Sequence, residues 1–432
     1  MFSPPPDTGV SWLLLDLNSY FASVEQQLNP ALRGRPVVVA PTMTDYTCAI
    51  AASYEAKAMG IKTGTQIAEA RRLCPDLACV PARHDVYVEF HHKVVNEMAR
   101  HTPIDKIWSI DEMNSRLTPR HRTRAAVTAL AMRIKAGLRE NVGVCIRASI
   151  GVATNAFLAK TASDMQKPDG LVILEGRDLP ARLLPLGIGD LCGIGPNMRA
   201  RLNRAGIWTM ADLWASAPRQ LRGIWGSVEG EKFWYRLHGY DVPDLPEGPK
   251  RVIGHSRVLD PDSRRPDIAM AVCRRLSVKA CQRLRRHGLY ATHFALSARL
   301  ADGRRWSGEA RLAPACDTLV FVRLTHALWA QMIAALRPDM TTGAVKKVSI
   351  SLSGLQTGAE TTGDLFAAAS PQAPHRRVAQ LRANALSAAM DKIARAYGPH
   401  AVHFGIQPHT QAGYVGTKIA FSRVPDLAEF ME

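Results

Sequence analysis

Short apolar runs alternate with amphipathic stretches over the first part of the chain. The runs WLLLDL and RPVVVA are bounded by turn residues, which is typical of buried strands. Helical periodicity follows in GTQIAEARRLCPDL and in VYVEFHHKVVNEMARHTP, and a proline ends each of these helices. Because strands and helices interleave, we predict a mixed α+β core.

The pattern changes twice further along the chain. Residues 180–238 are helical throughout, and DLCGIGPNMRARLNRAGI predicts two helices joined by a glycine-rich turn. Residues 241–252 are rich in Pro and acidic residues, which predicts a linker. Beyond it come a basic helix and three strand-like segments, with a helix before the last of them. Residues 356–376 are of low complexity and are predicted to be flexible, and a final helix follows.

The charge balance indicates the kind of partner that the chain binds. Lys and Arg outnumber Asp and Glu by 55 to 38, the net charge is +17 and the pI is about 9.8. Such an excess favours a polyanion, usually nucleic acid, although a merely basic soluble protein is the alternative. Eight cysteines without a CxxC pair indicate reduced thiols in the cytoplasm. We find no signal-peptide pattern and no apolar run of ~20 residues, so we expect no membrane association.

The excess positive charge is concentrated. Residues 251–311 contain fourteen Lys and Arg residues and five acidic residues, a net charge of +9. This segment is predicted to lie along a phosphate backbone, with Arg251, Arg257, Arg274 and Arg275 as contacts. A solvated basic face without a ligand is the alternative.

Three carboxylates follow apolar runs. Asp16 ends WLLLDL, and Asp111 with Glu112 ends a second predicted strand, IDKIWSIDE. Neighbouring side chains on a regular strand point to opposite faces, so the backbone must turn for Asp111 and Glu112 to act together. Converging carboxylates need cations among them, and Mg²⁺ prefers oxygen ligands. Two such ions ~3.5–4 Å apart would serve phosphoryl transfer. The alternative is that Asp111 and Glu112 merely begin a polar turn.

A second candidate site is the turn that holds Gly193 and Gly195. Its free backbone N–H groups at a helix N-terminus would suit a DNA phosphate. A plain packing corner between two helices is the alternative.

Several blocks occur together in a fixed order. They are LDLNSYFASVEQQLNPALRGRPVVV, AASYEAKAMGIKTG, SIDE, RASIGVATNAFLAKTASDMQKPDGL and LCGIGPNMRARLNRAGI. From about residue 12 to 355 the chain resembles a Y-family translesion DNA polymerase. Asn18 and Lys57 stand where the commoner polymerase IV pattern has Asp and Arg, and both are similar to the catalytic subunit of polymerase V. Lys57 lacks the bidentate fork of arginine, so its grip on a triphosphate would differ.

The resemblance implies a right-hand fold with a separate α/β little finger. The implied domains are a palm (10–20 and 83–175), fingers (21–82), a helix-hairpin-helix thumb (176–240), a linker (241–252), a DNA-binding little finger (253–355) and a C-terminal flexible segment and extension (356–432).

The resemblance also implies roles for particular residues. Asp16, Asp111, Glu112 and the backbone carbonyl of Leu17 match metal ligands for two Mg²⁺ ions, with Mn²⁺ as a substitute. Asp16, Asp111 and Glu112 are also the implied catalytic residues.

The nucleotide would be held by a second group. Phe21 matches the steric gate that excludes a 2′-OH, and Tyr54, Lys57 and Lys167 match contacts to the triphosphate. Tyr20 is placed with the nucleotide-binding residues, with core packing left open for it, as it is for Phe21 and Tyr54.

The function implied is low-fidelity, template-directed transfer of dNTPs to a primer 3′-OH past DNA damage. The alternative is a catalytically weak or inactive adaptor, kept open by Met113 and Asn114, where the family usually has Ala and an aromatic. A helix-hairpin-helix protein that only binds DNA would not explain the SYFASVEQ and MQKPDG blocks.

The expected partners are primer–template DNA and a dNTP, with the chain a monomer in the bacterial cytoplasm at the nucleoid. Asp364, Leu365 and Phe366 resemble the end of a sliding-clamp-binding peptide but lack its glutamine.

Overall fold

The structure is a computed structural model that describes residues 5–243, 248, 251–339, 343–358, 373–398, 401–402 and 424. Residues up to Asp244 form one compact unit, and a second unit begins at Leu245. We call them the first unit and the second unit and describe each by itself. The sliding-clamp-like Asp364–Phe366 segment lies outside the described residues.

The first unit contains eight strands and ten α-helices among the described residues. The strands are β1 (Trp12–Leu17), β2 (Val37–Ala40), β3 (Ala51–Ala52), β4 (Ala78–Pro81), β5 (Lys106–Ile107), β6 (Glu112–Arg116), β7 (Ala148–Ala153) and β8 (Leu171–Leu174). The helices are α1 (Tyr20–Leu28), α2 (Tyr54–Ala58), α3 (Ile67–Leu73), α4 (His84–His101), α5 (Arg124–Gly137), α6 (Ala156–Met165), α7 (Pro196–Arg204), α8 (Met210–Ala215), α9 (Pro218–Trp225) and α10 (Val228–Leu237).

The central sheet has the order β5-β6-β1-β7-β8. Successive side chains of β1 alternate between its faces, so this strand serves two cores. Leu13, Leu15 and Leu17 lie in a core shared with residues of α4 and α5. Leu14 lies in a second core that includes residues of α6. Asp16 follows the same alternation as Leu14 and therefore points to the α6 face.

A smaller sheet, β3-β2-β4, belongs to the predicted fingers. It has its own core, which contains Val38, Ala52, Ile61 and Ile67. Helix α2 starts at Tyr54, and the hydroxyl of Ser53 caps it by accepting the Ala56 N–H. This cap fixes the start of the helix that carries Tyr54 and Lys57.

The end of the first unit is helical, as predicted, with one difference. The segment before the glycine-rich turn forms only a single 3₁₀ turn, Ile188–Asp190, instead of a helix. Glycine is a poor helix former, and Gly187 and Gly189 lie at this turn. The turn leads into α7, which Gly195 and Pro196 begin.

The second unit is an antiparallel sheet covered by helices. Its elements are β9 (Val252–Val258), α11 (Pro266–Arg286), β10 (Leu289–Leu300), β11 (Arg305–Ala315), α12 (Thr318–Leu336), β12 (Val345–Ser353), β13 (Gln356–Thr357) and α13 (Ala373–Tyr397). The sheet order is β11-β10-β12-β9, and β13 pairs with β10. Phe294, Leu296 and Ile350 from the sheet pack with Leu276 and Phe321 from the helices. The predicted α+β class and the separate C-terminal domain are confirmed.

Two boundaries predicted for this part of the chain differ from the structure by one or two residues. The linker prediction ended at residue 252, but β9 begins there and forms a fourth strand of the sheet. Only Ile253 on this edge strand is fully buried, so its sequence lacks an apolar alternation. The flexible prediction began at residue 356, but Gln356 and Thr357 pair with β10.

One described helix, α12, is long and apolar enough to cross a membrane by length and composition. In the structure it packs on the sheet of the second unit. Phe321, Leu328 and Met332 are buried in that core. Its apolar composition therefore follows from its place in the domain.

Candidate active site

Asp16 and Glu112 lie side by side because their strands pair. In the antiparallel pair β1–β6, Asp16 is directly opposite Glu112, which places both side chains on one face. The Leu17 N–H donates to the Asp111 carbonyl at 2.9 Å, so Asp111 is held next to the end of β1. Asp16 is buried, with 4% of its surface exposed.

The prediction that Asp111 and Glu112 end a strand is wrong. Strand β6 begins at Glu112, and residues 108–111 form the turn from β5. The Trp108 N–H donates to the Glu112 carbonyl at 2.9 Å and closes this turn. The backbone turn that two adjacent carboxylates require therefore lies at the start of the strand, immediately before Glu112.

A lysine lies at the centre of the carboxylates. The Nζ of Lys160 is 2.6 Å from Asp16 Oδ2, 2.8 Å from Glu112 Oε1 and 3.1 Å from Asp164 Oδ2. Lys167 also reaches this place, because its Nζ is 2.8 Å from both Asp16 Oδ2 and Asp164 Oδ1. The structure thus brings two cations and three of the acidic side chains together.

Sequence reasoning assigned no role to Lys160 or Asp164. A signal was present, because Lys160, Asp164 and Lys167 are spaced by four and then three residues, which places them on one helical face. The first two lie on α6, which packs on the Asp16 face of the central sheet. Lys167 follows two residues after the end of α6.

The electrostatics agree with a site that is built to hold cations. Burial raises the pKa of the Asp111 carboxyl above its usual value, and the Asp16 charge adds to this. The Ser109 hydroxyl donates to Asp111 at 2.6 Å and offsets part of the rise. Burial also raises the pKa of Glu112, against the lowering effect of Lys160.

The pKa of Lys160 is set by two opposing effects. Burial alone would lower its pKa, but the charges of Asp16 and Glu112 outweigh burial and raise the pKa above the usual lysine value. Two carboxylates that each contact one ammonium converge on a single cation position. Hard carboxylate oxygens are the donors that Mg²⁺ takes.

The acidic residues present are therefore suited to a divalent metal ion, but they do not form a complete coordination site. Within the described parts of the chain, no three His, Cys, Asp or Glu side chains form a group ready to hold a metal. The ammonium of Lys160 occupies the space between Asp16 and Glu112 in which a metal ion would bind. Asp16, Asp111 and Glu112 are the residues that would hold the metal, and the Leu17 carbonyl stays a prediction.

The predicted triphosphate contacts lie near one another. The Lys57 ammonium is 4.4 Å from the centroid of the Tyr54 ring. Burial lowers the pKa of Lys57, and the nearby charge of Lys167 lowers it further. Burial raises the pKa of Tyr54, which also senses the charges of Lys167 and Asp16. Tyr54, Lys57 and Lys167 thus share one electrostatic environment.

Phe21 lies at the start of α1 with its ring partly exposed. Its ring stacks on that of Tyr87, with centroids 4.3 Å apart and an interplanar angle of 13°. Tyr20 is buried, and its hydroxyl donates to the Tyr87 carbonyl at 2.7 Å. The Tyr20 side chain therefore takes the core-packing alternative, whereas the Phe21 ring is accessible.

The two unusual residues after Glu112 lie behind the carboxylates. Met113 is fully buried in the core of the first unit. The Asn114 side-chain oxygen is buried and has no hydrogen-bond partner among the described residues. Neither residue displaces a carboxylate, because the Asp16–Glu112 pairing is regular along this ladder.

The glycine-rich turn has the backbone that its sequence requires. Gly193 has φ of 87°, a left-handed conformation that favours glycine. Gly195 is the N-cap of α7, where backbone N–H groups are free of helical partners. A phosphate contact at Gly193 and Gly195 stays a prediction.

Three of the four predicted DNA contacts of the second unit are associated with its helices rather than with the open face of its sheet. Arg257 lies on the helix-covered side, 3.6 Å from Asp260, and its charge influences Arg275 on α11. Arg274 lies on the same helix, and Arg251 is exposed before β9. Their role as DNA contacts stays a prediction.

The open face of the sheet carries a different basic set. Strand register places Lys347 opposite Arg299 and Arg299 opposite Arg305, all exposed. The next row across the four strands consists of Ser256, Ser349, Ser297 and Ser307. Small hydroxyl side chains beside a basic row leave a shallow, hydrogen-bonding surface.

Comparisons with known proteins agree with this geometry. Residues 15–164 match the impB/mucB/samB family, and residues 250–365 match the C-terminal domain of that family. DNA polymerase IV of Moorella thermoacetica is 35% identical over 91% of this chain and 95% of its own length. DNA polymerase IV of Halorhodospira halophila is 35% identical over 82% of this chain and 97% of its own length.

Solved structures give the same fold. A chimera of the Y-family DNA polymerases Dbh and Dpo4 matches with a TM-score of 0.67 at 22% identity, covering 81% of this chain and all of the chimera. An insertion ternary complex of Dbh DNA polymerase matches with a TM-score of 0.50 at 24% identity, over 81% of this chain and all of that chain.

The chain belongs to the Y family of DNA polymerases. Within that family it is similar to DNA polymerase IV, and it is a DNA-directed DNA polymerase of the translesion class.

Proposed function

We propose that this chain extends a primer on a damaged DNA template by two-metal transfer of nucleotides from dNTPs. One observation carries the proposal. The carboxylates of Asp16 and Glu112 approach a single cation at 2.6 and 2.8 Å, and Asp111 is fixed beside them by the Leu17 N–H. A non-catalytic adaptor would not require three neighbouring carboxylates, because their charges repel one another and are costly to bury.

The proposed cofactor is Mg²⁺, with two ions bound and Mn²⁺ as a substitute. When bound, such ions make the attacking hydroxyl more acidic and stabilise charge on the leaving oxygen. Asp16, Asp111 and Glu112 would hold them. Lys160 must then leave the carboxylates, and the neighbouring Asp164 offers its ammonium another partner at 3.1 Å.

The remaining residues position the nucleotide. Lys167 and Lys57 supply positive charge to the triphosphate, and the Tyr54 hydroxyl adds a hydrogen-bond donor. The partly exposed ring of Phe21 occupies the space that a ribose 2′-OH would need. Discrimination against ribonucleotides then follows from steric collision at one ring.

Binding to primer–template DNA would rest on other surfaces. The row of Lys347, Arg299 and Arg305 on the open sheet face suits a phosphate backbone, and the adjacent serines allow the backbone to approach closely. The N–H groups of the Gly193–Gly195 turn suit a further phosphate. These contacts to the phosphate backbone would contribute to DNA affinity but would not distinguish one base sequence from another.

The cellular setting is proposed from the same relatives. We expect the chain to act as a monomer in the bacterial cytoplasm, at the nucleoid where its substrate lies. Its use of a sliding clamp through Asp364–Phe366 stays a prediction.

The decisive experiment is primer extension by the Asp111→Asn variant. We expect at least ~100-fold loss of nucleotide insertion because a metal ligand is removed without a change of shape. DNA affinity, measured by fluorescence anisotropy, should stay within about twofold, since the DNA surfaces are separate.

Glu97→Gln is the matched control. Glu97 is a buried carboxylate on α4, and it contacts Arg100, His101 and Asn141. This variant should keep its activity. Full insertion by Asp111→Asn, or insertion by the wild type in excess EDTA, would refute the proposed mechanism.

A further inference from the structure

The turn Gln166–Gly170 carries Lys167 and needs external support. Asp169 has φ of 55°, in the left-handed region that residues with a Cβ rarely adopt. A strained backbone of this kind persists only where its surroundings fix it. Three elements contact the turn: the end of β1, strand β7 and helix α5.

Asn18 provides the contact from the end of β1. Its Oδ1 accepts the backbone N–H of Asp169 at 2.7 Å, and its Nδ2 donates to Ser149 Oγ at 3.1 Å. The N–H of Asp169 can only donate, so the orientation of the amide is fixed by its partner. Asn18 is 3% exposed.

Ser149 on β7 completes the support. Its hydroxyl donates to the Gln166 carbonyl at 3.1 Å and accepts the Gly170 N–H at 3.3 Å. A hydroxyl has one proton, and Ser149 Oγ lies 3.1 Å from the Gln166 carbonyl and 3.5 Å from Asn18 Oδ1. Donation from Asn18 Nδ2 to Ser149 is compatible with the shorter of these two bonds. A carboxylate at position 18 would compete for that proton.

The third contact acts on a different part of the turn. Lys135 on α5 donates to the backbone carbonyl of Asp169 and to its side chain, the latter at 2.9 Å. Lys135 therefore holds the carbonyl and carboxylate, whereas Asn18 alone among these residues holds the Asp169 N–H. The two supports are not redundant.

We infer that Asn18 is a positioning residue that holds Lys167 in place for the triphosphate, through Asp169 and Ser149. The side chain of Asn18 bonds to Asp169 and Ser149, so its effect on the triphosphate would act through Lys167. The inference rests on the proposed role of Lys167. It also explains why an amide is used at this position: an amide can serve the turn and the serine with one acceptor and one donor.

Single-nucleotide insertion kinetics test this. Asn18→Ala should raise the KM for dNTP about tenfold, with kcat changed less than about threefold, because a misplaced binding group costs affinity first. Asn18→Asp should recover part of the loss, because a carboxylate still accepts the Asp169 N–H but competes for the Ser149 proton. Ser149→Ala should raise KM about threefold and serves as the decisive variant if Asn18→Ala does not fold.

Two further measurements separate position from stability. Backbone hydrogen exchange at residues 167–170 should become faster in Asn18→Ala. Asn155→Ala is the matched control, because Asn155 is a buried amide that caps the opposite end of α6. It should lower the melting temperature and leave the KM for dNTP unchanged.

The outcomes distinguish this inference from the proposed function. If Lys167→Ala does not raise the KM for dNTP, the proposed role of Lys167 fails. If Lys167→Ala raises it while Asn18→Ala and Ser149→Ala leave it unchanged, the role of Lys167 stands and Asn18 is not its positioning residue. A KM for Asn18→Asp no lower than that of Asn18→Ala would also overturn the inference.

Discussion

The ring of Tyr87 lies under the proposed steric gate, so we predict that Tyr87→Leu relaxes sugar selectivity. Tyr87 is fully buried and stacks on Phe21 at 4.3 Å. Its hydroxyl donates to Glu25 Oε1 at 2.7 Å, and Arg83 Nε donates to the same oxygen at 3.1 Å. Phe21 and Glu25 are one helical turn apart on α1, so α1 is fixed to the start of α4 at both points.

The size of the effect follows from these contacts. An aromatic stack contributes about 0.5–1.5 kcal/mol, so losing it shifts the population of the correctly placed Phe21 ring by about 2- to 12-fold. Sugar selectivity should fall by the same factor. The lost hydrogen bond to a charged group adds about 1.5–3 kcal/mol to the destabilisation of the fold. The total cost to stability is thus about 2–4.5 kcal/mol.

The assay is the ratio of kcat/KM for dNTP to that for the matching rNTP, measured by single insertion. Phe21→Ala is the positive control and should give the largest loss of selectivity. Phe90→Leu is the matched control, because Phe90 is a buried aromatic on the same helix within the same core. It should lower stability without a change in selectivity. Unchanged selectivity in a folded Tyr87→Leu protein would refute the support assigned to this ring.

Three further results are expected. Replacing Arg299, Arg305 and Lys347 together by Ala should weaken DNA binding and lower the salt slope of the binding constant by about 3, and an unchanged slope would argue against this face. Burial would raise the pKa of Glu175, but one backbone N–H and two guanidinium groups outweigh it and lower the pKa. The ionised Glu175 carboxylate therefore stabilises the fold above the unfolded pKa of about 4.3, and this stabilisation is lost as the pH falls through the lower, folded pKa. Below that pH, the free energies of unfolding of the wild type and Glu175→Gln, measured in urea, should converge. Gly151→Ala should cost about 3 kcal/mol in the same assay, because a Cβ there would meet the Ala159 carbonyl at 2.0 Å; a smaller effect would mean that α6 can move away from β7.

The contacts of Lys160 explain how the carboxylates of Asp16 and Glu112 can lie together in the absence of a divalent ion. Asp16 and Glu112 are compensated by Lys160, which lowers the repulsion between buried carboxylates. Divalent ions would take over this compensation when nucleotide arrives. Lys160 therefore reduces the electrostatic cost of folding with buried carboxylates at this site.

Local patterns determined much of this protein from the sequence. The apolar run before Asp16, the helical spacing of α3 and α4, and the basic segment from residue 251 all reflect side chains that face a core or solvent within one element. The polymerase-like blocks added the class of enzyme and its candidate ligands. These features depend on neighbours along the chain, so they can be read without knowing the fold.

The tertiary structure alone decided how distant segments meet. Pairing of β1 with β6 placed Asp16 opposite Glu112, and packing of α6 on that sheet carried Lys160 between them. The fold also gave Asn18 its two partners, Ser149 on β7 and Asp169 in the turn after α6, which lie 131 and 151 residues further along the chain. The edge strand β9 was missed because only one of its residues is fully buried. Register and interhelical packing depend on contacts between distant residues, and no local periodicity records them.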